Sequence, residues 1–133
     1  GVEASTSDYP KLKRLSNVQH LYNEIKGDVP DGVRLLDFVE CLHPSPAVGG
    51  SPREAACKRI PDLERFDRGL YAGPIGWVNS RAEGEFFVSI RSALVDGDLA
   101  RLYAGVGIVD GSVPEKEIQE TDLKFKALLE NLL

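Results

Sequence analysis

The sequence contains no methionine, one tryptophan, two histidines and two cysteines. The cysteines, Cys41 and Cys57, lack CxxC spacing and lie in segments whose pattern predicts helix. This is not the arrangement of a disulfide framework or a zinc site, so we expect neither, and we expect a reducing compartment. A basic block is also missing, because the net charge of -5 is spread over both halves of the chain. Nucleic acid and anionic membranes are therefore not indicated as partners, and any anionic ligand must be bound by local cations.

Long apolar runs are missing as well. No stretch approaches the roughly 20 residues that span a bilayer, and no signal peptide is evident, so no membrane association is expected. With 133 residues, 42% hydrophobic and 28% charged, the composition is that of one soluble globular domain with a substantial core. The sequence has no initiator methionine and begins abruptly with GVEASTSDYPKLKR, from which we expect a processed product or an excised fragment.

The first half of the chain predicts one strand and two helices. A strand is predicted within VQHLYNEIKG, at 18–27, and a helix begins at Asp31. That helix ends at HPSPAVGGSP, at 43–52, whose prolines and glycines predict a rigid irregular loop. A second helix is predicted from Ser51, with proline and glutamate in its first turn as in a capping box, until Pro61 interrupts it.

The second half predicts strands and then a helix. Three strand-like runs, GLYAGPIGWVNS, EFFVSIRSALVDG and LARLYAGVGIV, are separated by turns at 82–84 and 96–98. Ser112, Pro114 and Glu115 repeat the helix-start signature before the last helix. Because short turns between consecutive strands mean antiparallel pairing, we predict an α+β fold with an antiparallel meander and flanking helices.

Arg91 and a pair of glycines are candidates for anion binding. Arg91 lies mid-strand in EFFVSIRSAL with apolar neighbours on both sides. It is either an edge-strand arginine over the surface or a half-buried guanidinium, which needs an anion and best matches a carboxylate. Gly105 and Gly107 alternate at a strand end just before a helix, where backbone N–H groups can approach an anion with no Cβ in the way. GxG alone is weak evidence, since strand ends often carry glycine.

The last predicted helix places two glutamates beside a lysine. At about 100° per residue, Glu117, Glu120 and Lys124 fall within roughly 60° of each other. Carboxylates at i and i+3 fit a divalent cation that relieves their repulsion, and a solvated acidic face with Lys124 as internal partner fits as well. The flanking apolar stripe is predicted to be buried and consists of Ile118, Phe125, Leu129 and Leu132.

Two tyrosines and two histidines could contact a ligand, although a structural role is the commoner case for both types: Tyr71, Tyr103, His20 and His43. Taken together, Arg91, Lys124, the glycine amides and a carboxylate-held Mg²⁺ describe a pocket for a small dicarboxylate.

These motifs resemble the chorismate-utilising enzymes, a family that includes isochorismate, salicylate, anthranilate and aminodeoxychorismate synthases. The resemblance runs from about Tyr9 to Leu133 through RLSNVQHLY, LHPSPAVGGSPR, FDRGLYAGPIGW, FFVSIRSAL and YAGVGIVDGSVPEKEIQETDLK. HPSPAVGG and FDRGLYAGPIGW are most similar to isochorismate synthase, with salicylate synthase next. The other two enzymes carry a different loop, of a Gly-Ala-Pro-Lys type.

The resemblance implies a role for each candidate residue. Glu117 and Glu120 would be Mg²⁺ ligands or lie near the metal, and His43 would lie beside the substrate ring as the candidate catalytic residue. The groups that would hold the substrate carboxylates are Tyr71, Arg91, Lys124 and the amides around Gly105, Val106 and Gly107. The expected location is the cytoplasm, or the plastid stroma for a plant or algal source.

The same resemblance implies that the chain is only part of an enzyme. The family adds water to the ring by general acid–base catalysis, with a lysine base, a glutamate acid and further Mg²⁺ carboxylates from upstream segments. The family fold is a duplicated α+β fold with two orthogonal sheets, of which residues 1–133 resemble the C-terminal portion. We therefore expect this chain to supply the carboxylate- and metal-binding half of an isochorismate synthase-like site and to be inactive alone.

Two other readings stay open, a part of a salicylate synthase and a non-catalytic remnant that serves as a binding or assembly module. An apolar face left uncovered by the missing N-terminal half is expected to bind that half, to self-associate or to aggregate.

Overall fold

The computed structural model describes residues 3–14, 19–130 and 132. The chain divides into two compact units, Gly1–Arg34 and Leu35–Leu133, and each is considered separately.

The first unit consists of two antiparallel strand pairs. The outer pair is β1 (Ala4–Thr6) with β4 (Ile25–Gly27), and the inner pair is β2 (Lys11–Arg14) with β3 (Gln19–Tyr22). The single strand predicted over 18–27 is therefore two strands, separated by Asn23 and Glu24, while Val18 lies outside the described residues. His20 belongs to β3, opposite Lys13.

The second unit contains the four helices of the described chain: α1 (Leu35–Leu42), α2 (Pro46–Gly49), α3 (Arg53–Glu64) and α4 (Pro114–Leu129). The helix predicted from Asp31 begins later, at Leu35, because Asp31 and Gly32 form a turn with Gly32 at φ 83°. The loop predicted over 43–52 contains the short helix α2, with Pro46 in its first turn.

Both predicted capping boxes are wrong in detail. Helix α3 has Pro52 as its N-cap and α4 has Val113, and neither start has a side-chain cap hydrogen bond. The Ser112 hydroxyl instead accepts a hydrogen bond from the Val109 N–H, 3.1 Å away. Pro61 does not end α3, because proline removes only one donor and its carbonyl still accepts from the Arg65 N–H at 3.3 Å.

Two glycines at the end of α2 permit close packing, Gly49 against Pro44 and Gly50 against α3. A Cβ on Gly49 would lie 2.8 Å from Cβ of Pro44, and a Cβ on Gly50 would lie 2.6 Å from Cβ of Ala56. Gly50 also has φ 74°, in the region that favours glycine. The HPSPAVGG stretch is therefore shaped as much by packing as by its turns.

Four strands form two antiparallel hairpins: β5 (Pro74–Val78) with β6 (Gly84–Val88), and β7 (Ser92–Asp96) with β8 (Leu99–Tyr103). The predicted α+β class with antiparallel strands and flanking helices is confirmed. The three predicted runs are, however, four strands, because the second run breaks between β6 and β7. At the break, the Ser89 N–H donates to the Gly73 carbonyl and the Ala72 N–H donates to the Ser89 carbonyl, both at 2.8 Å.

Very little of the described chain is buried. Ala72, 6% exposed, is the one buried apolar residue in the part that the structure describes. Large apolar side chains that are exposed in the second unit include Leu36, Trp77 and Ile118, at 51%, 54% and 61%. The substantial core expected from length and composition is therefore absent from the described residues.

The predicted burial of the apolar stripe on α4 is also wrong. Ile118 is 61% exposed, Leu129 48% and Leu132 49%, and only Phe125 is half-buried. The half-buried side of the helix includes Glu117, Thr121 and Lys124 instead. Helical periodicity identifies residues that share a face, but the packing partner decides which face is covered. None of the described helices is long and apolar enough to cross a bilayer.

Candidate functional site

Two stacked tyrosines and a glycine form the centre of the candidate site. Tyr71 precedes β5 and Tyr103 ends β8, and their rings stack with centroids 5.3 Å apart and planes 13° from parallel. The Tyr71 hydroxyl reaches the segment after β8, since a Cβ on Gly105 would lie 2.7 Å from that oxygen. Glycine at this position therefore allows the phenol and the backbone to approach closely.

A bidentate ion pair lies next to Tyr71. Arg68 donates from Nε to Glu64 Oε2 at 2.8 Å and from Nη2 to Glu64 Oε1 at 2.6 Å. Its Nη1 donates to the Val48 carbonyl at 2.8 Å. The guanidinium carbon lies 5.7 Å from the Tyr71 ring centroid, within the range of a cation–π contact. Arg68 thus joins helix α3, the short helix α2 and the tyrosine stack.

The charges around this pair shift two pKa values. The hydrogen bonds that Arg68 donates to Glu64 raise the pKa of Arg68, so the guanidinium remains charged. Burial raises the pKa of Tyr71, and the nearby Arg68 charge opposes that shift only in part. The Tyr71 phenol is therefore neutral at physiological pH and can donate a hydrogen bond.

His43, Tyr71 and the ion pair share one cavity of about 800 Å³. Gly49 and Cys57 also line this cavity. The position of His43 is held through the backbone, because Arg53 donates from Nη1 to the Cys41 carbonyl at 2.9 Å and from Nη2 to the His43 carbonyl. The structure therefore brings His43 and Tyr71 to the same opening, together with a carboxylate and a guanidinium.

Lys124 connects helix α4 to the glycine segment. Its Nζ donates to the Gly105 carbonyl at 2.8 Å and lies 2.7 Å from Glu120 Oε1. The Lys124 side chain is 19% exposed, whereas that of Glu120 is 57% exposed. The Lys124 hydrogen bond lowers the pKa of Glu120 below its usual range, with a smaller contribution from the charge of Arg91. The pair is anchored at its lysine and open to solvent at its carboxylate.

Glu117 has different surroundings from Glu120. It is half-buried and lines a smaller cavity of about 380 Å³ with Val106 and Thr121, where Glu120 is not among the lining residues. The Thr121 hydroxyl donates to the Glu117 carbonyl at 2.9 Å. Within residues 3–14, 19–130 and 132, no three His, Cys, Asp or Glu side chains group as a metal site. Any cation held here would rest on one or two carboxylates.

Arg91 does not lie within a strand. It occupies the bend between β6 and β7, is exposed and has φ 48°, so both the mid-strand position and the half-buried reading are wrong. The backbone pairing of Ser89 with residues 72 and 73 ends β6 early and turns the chain before Arg91. The Arg91 charge is the smallest of the contributions that lower the pKa of Glu120.

The glycine segment also differs from the prediction. Strand β8 ends at Tyr103 and α4 begins only at Pro114, so Gly105 and Gly107 are not next to a helix N-terminus. Gly105 is half-buried between Tyr71 and Lys124, whereas a Cβ on Gly107 would meet nothing within 4 Å.

Sequence reasoning missed Glu64 and Arg68. Their i and i+4 spacing in LERFDRGLYAG, directly before Tyr71, was the available signal. That signal is weak by itself, because such pairs are common on exposed helices.

Comparisons with known proteins point to one enzyme family. The family model described as chorismate binding enzyme matches residues 1–133. The chain is 45% identical over 130 residues to isochorismate synthase MenF of Bacillus subtilis, covering 98% of this chain and 28% of that protein. It is 46% identical over 125 residues to the salicylate biosynthesis isochorismate synthase of Pseudomonas aeruginosa, covering 94% and 26%.

A solved structure extends the comparison to the fold. A chain from Bacillus anthracis assigned as the 2,3-dihydroxybenzoate-specific isochorismate synthase DhbC matches with a TM-score of 0.91 and 37% identity, over 98% of this chain and 35% of that one. The present chain thus spans about a quarter to a third of the length of the proteins it matches.

Proposed function

Because this chain belongs to the chorismate-binding enzyme family, we propose that it supplies the carboxylate- and metal-binding half of a site that converts chorismate to isochorismate with Mg²⁺. The observation that supports this most strongly is the convergence of the Tyr71 hydroxyl and the Lys124 ammonium on Gly105. A neutral donor and a cation at one backbone segment suit a carboxylate ligand.

Lys124 is arranged to take part in such binding. An ammonium group has three N–H donors, and the Gly105 carbonyl and Glu120 engage two of them. In the proposed site the third donor, together with the Tyr71 hydroxyl, binds a substrate carboxylate. Arg91, which is exposed and close enough to influence Glu120, supplies a second cation for the other carboxylate.

The carboxylates of α4 could supply only part of the coordination shell of Mg²⁺. Mg²⁺ is commonly bound through one or two carboxylates, with water and substrate oxygens completing an octahedral shell. Glu120 and Glu117 would supply those carboxylates, and Glu120 is held ionised by Lys124. Bound Mg²⁺ would stabilise negative charge on the substrate oxygens.

The acid and base of the reaction are not expected from this chain. His43 lies in the Tyr71 cavity, where it would border the substrate ring. The chain's own residues otherwise bind and orient, and uniform binding of ground and transition states does not raise a rate. We therefore propose that catalysis requires the N-terminal portion of a longer enzyme.

The exposed surface supports a partner of that kind. In the second unit, Leu36, Ile118 and Leu129 are 51%, 61% and 48% exposed. Obligate interfaces are rich in apolar side chains of this kind. The same observation favours the second candidate, a non-catalytic assembly module, and a salicylate synthase part remains a variant of the first. A cytoplasmic or plastid location stays a prediction.

A calorimetric titration tests the proposal. Chorismate with Mg²⁺ is titrated into this chain mixed with the upstream portion of an isochorismate synthase. We expect Lys124→Ala to weaken binding about tenfold, the value of one charge-assisted hydrogen bond. Lys126→Ala is the matched control, because Lys126 lies on the same helix with a side chain 71% exposed and a distant partner, Glu130, at 4.0 Å. Equal affinity of the two variants would contradict the proposed site.

A further inference from the structure

Arg68 has an unusual number of simultaneous contacts for a residue with no role in the proposed chemistry. Three of its nitrogens donate hydrogen bonds, two to Glu64 and one to the Val48 carbonyl, at 2.6 to 2.8 Å. The Arg68 and Glu64 side chains are only 26% and 29% exposed. Its charge is therefore already balanced by Glu64, and it is a poor candidate for binding a substrate anion directly.

The guanidinium also restrains the Tyr71 ring. It lies 5.7 Å from the ring centroid, while Tyr103 stacks on the same ring at 5.3 Å. These two contacts restrict both the plane and the translation of the ring, and the hydroxyl at its end approaches Gly105. The Val48 hydrogen bond extends the restraint to helix α2, which begins three residues after His43.

We propose that Arg68 is a positioning residue that holds the Tyr71 hydroxyl at Gly105, where it can reach a substrate carboxylate, by bridging Glu64, Val48 and the tyrosine ring. This inference rests on the proposed function for Tyr71 as a ligand donor. It requires the planar, forked shape of the guanidinium, because a lysine ammonium cannot bind both Glu64 oxygens, the Val48 carbonyl and the ring face together.

The test is a double-mutant cycle between Arg68→Lys and Tyr71→Phe, with chorismate affinity measured in the mixture of this chain and the upstream portion. Tyr71→Phe keeps the ring and removes the hydroxyl, so we expect each single change to weaken binding about tenfold. If Arg68 acts through the hydroxyl, adding Arg68→Lys to Tyr71→Phe changes affinity by less than about twofold. A further tenfold loss in the double variant would overturn the proposal, because it would show an effect independent of Tyr71.

A second readout does not depend on chorismate. The chain has four tyrosines, and selective labelling with Tyr71→Phe as the assignment variant identifies the Tyr71 ring resonances. Arg68→Lys should shift the Tyr71 and Tyr103 signals, whereas Arg59→Ala should leave them unchanged. Arg59 is a matched control, with a side chain 72% exposed and a single weak ion pair at 3.9 Å.

These two readouts separate the outcomes. Shifted ring signals without chorismate binding by the wild-type mixture would contradict the proposed function and leave the positioning contact supported. Unshifted ring signals would overturn the positioning role whatever the binding result. If Arg68→Lys does not fold, Glu64→Gln replaces it, because removal of the carboxylate charge loosens the same bridge and must give the same shift and the same non-additivity with Tyr71→Phe.

Discussion

Two ion pairs flank the tyrosine and glycine centre, and they differ in how much of each pair is exposed to solvent. Glu64–Arg68 and Glu120–Lys124 both have i and i+4 spacing and short contacts, at 2.6 and 2.7 Å. In the first pair both side chains are largely covered. In the second, Lys124 is 19% exposed and Glu120 57% exposed.

This difference in exposure indicates that the same residue pattern has a structural role in one pair and a binding role in the other. The Glu64–Arg68 pair has its carboxylate held by two donors and its guanidinium held by a backbone carbonyl and a ring, which suits a structural anchor. The Glu120–Lys124 pair leaves carboxylate oxygen facing solvent and an ammonium beside a glycine, which suits ligand or metal binding. The predictions below test that division.

The largest expected effect is on stability. Arg68→Ala leaves the Glu64 carboxylate half-buried with its charge unbalanced and removes three hydrogen bonds, so it should lower the free energy of unfolding by about 3 kcal/mol. Lys124→Ala leaves a carboxylate that solvent already reaches, and should cost about 1 kcal/mol. Urea unfolding followed by circular dichroism measures both. Equal losses would remove the distinction between anchor and ligand-binding pair.

Gly105→Ala tests the point between the two ion pairs, because Gly105 contacts Lys124 and the Tyr71 hydroxyl, and Arg68 contacts the Tyr71 ring. The new Cβ would lie 2.7 Å from the Tyr71 hydroxyl oxygen, and displacement of the phenol or the backbone should cost about 1–3 kcal/mol in stability. It should also weaken chorismate binding. Gly107→Ala is the control, because its Cβ meets nothing within 4 Å. If the two variants have the same stability and the same chorismate affinity, the close contact between Gly105 and the Tyr71 hydroxyl is refuted.

Mg²⁺ binding should depend on the exposed pair, Glu120–Lys124, and not on the covered pair, Glu64–Arg68. In the mixture with the upstream portion, Glu120→Gln should weaken Mg²⁺ binding by about tenfold or more. Mutation of a group that only hydrogen-bonds a metal ligand already lowers metal affinity by about that factor, and loss of the ligand itself should cost at least as much. Glu117→Gln tests the second candidate ligand. In the isolated chain we expect only weak Mg²⁺ affinity, because Mg²⁺ sheds water reluctantly. A micromolar affinity in the isolated chain that survives Glu117→Gln would contradict this site.

The smallest effect concerns pH. Lys124 lowers the pKa of Glu120, so the ionised carboxylate is favoured in the folded state. Its stabilising contribution is present at neutral pH and is lost as pH falls through the lowered pKa, below the usual value of 4.5. Because Glu120 is exposed, the contribution is small. Unfolding midpoints between pH 7 and pH 3 should fall less steeply for Glu120→Gln than for the wild type, and identical slopes would exclude the coupling.

Part of this arrangement was predictable from local spacing. Glu120 and Lys124 share one helical stripe, and the ion pair has the expected i and i+4 geometry. Lys124 was grouped with the glycine amides from residue chemistry, and the structure adds that its ammonium donates to the Gly105 carbonyl, 19 residues away in the chain. The roles of Glu117, Glu120, Lys124 and the glycines in binding stay predictions.

The wrong predictions concern long-range contacts. Alternation in EFFVSIRSAL is consistent with one strand, and the bend before Arg91 arises only from the hydrogen bonds of Ser89 with residues 72 and 73. The apolar stripe of α4 was predicted to be buried, but Ile118 and Leu129 are exposed. A sequence pattern marks a face as apolar without saying whether its partner belongs to the same chain. The Glu64–Arg68 bridge was missed because Val48 and Tyr71 meet it only in the folded state.

The central claim is that this chain supplies one half of a chorismate-converting site. The direct test is an assay of chorismate turnover with Mg²⁺, for the purified chain alone and for the chain mixed with the upstream portion of an isochorismate synthase. The account predicts isochorismate only in the mixture, with turnover lowered by Lys124→Ala and unaffected by Lys126→Ala. Turnover by the purified chain alone, abolished by Arg91→Ala, would contradict it.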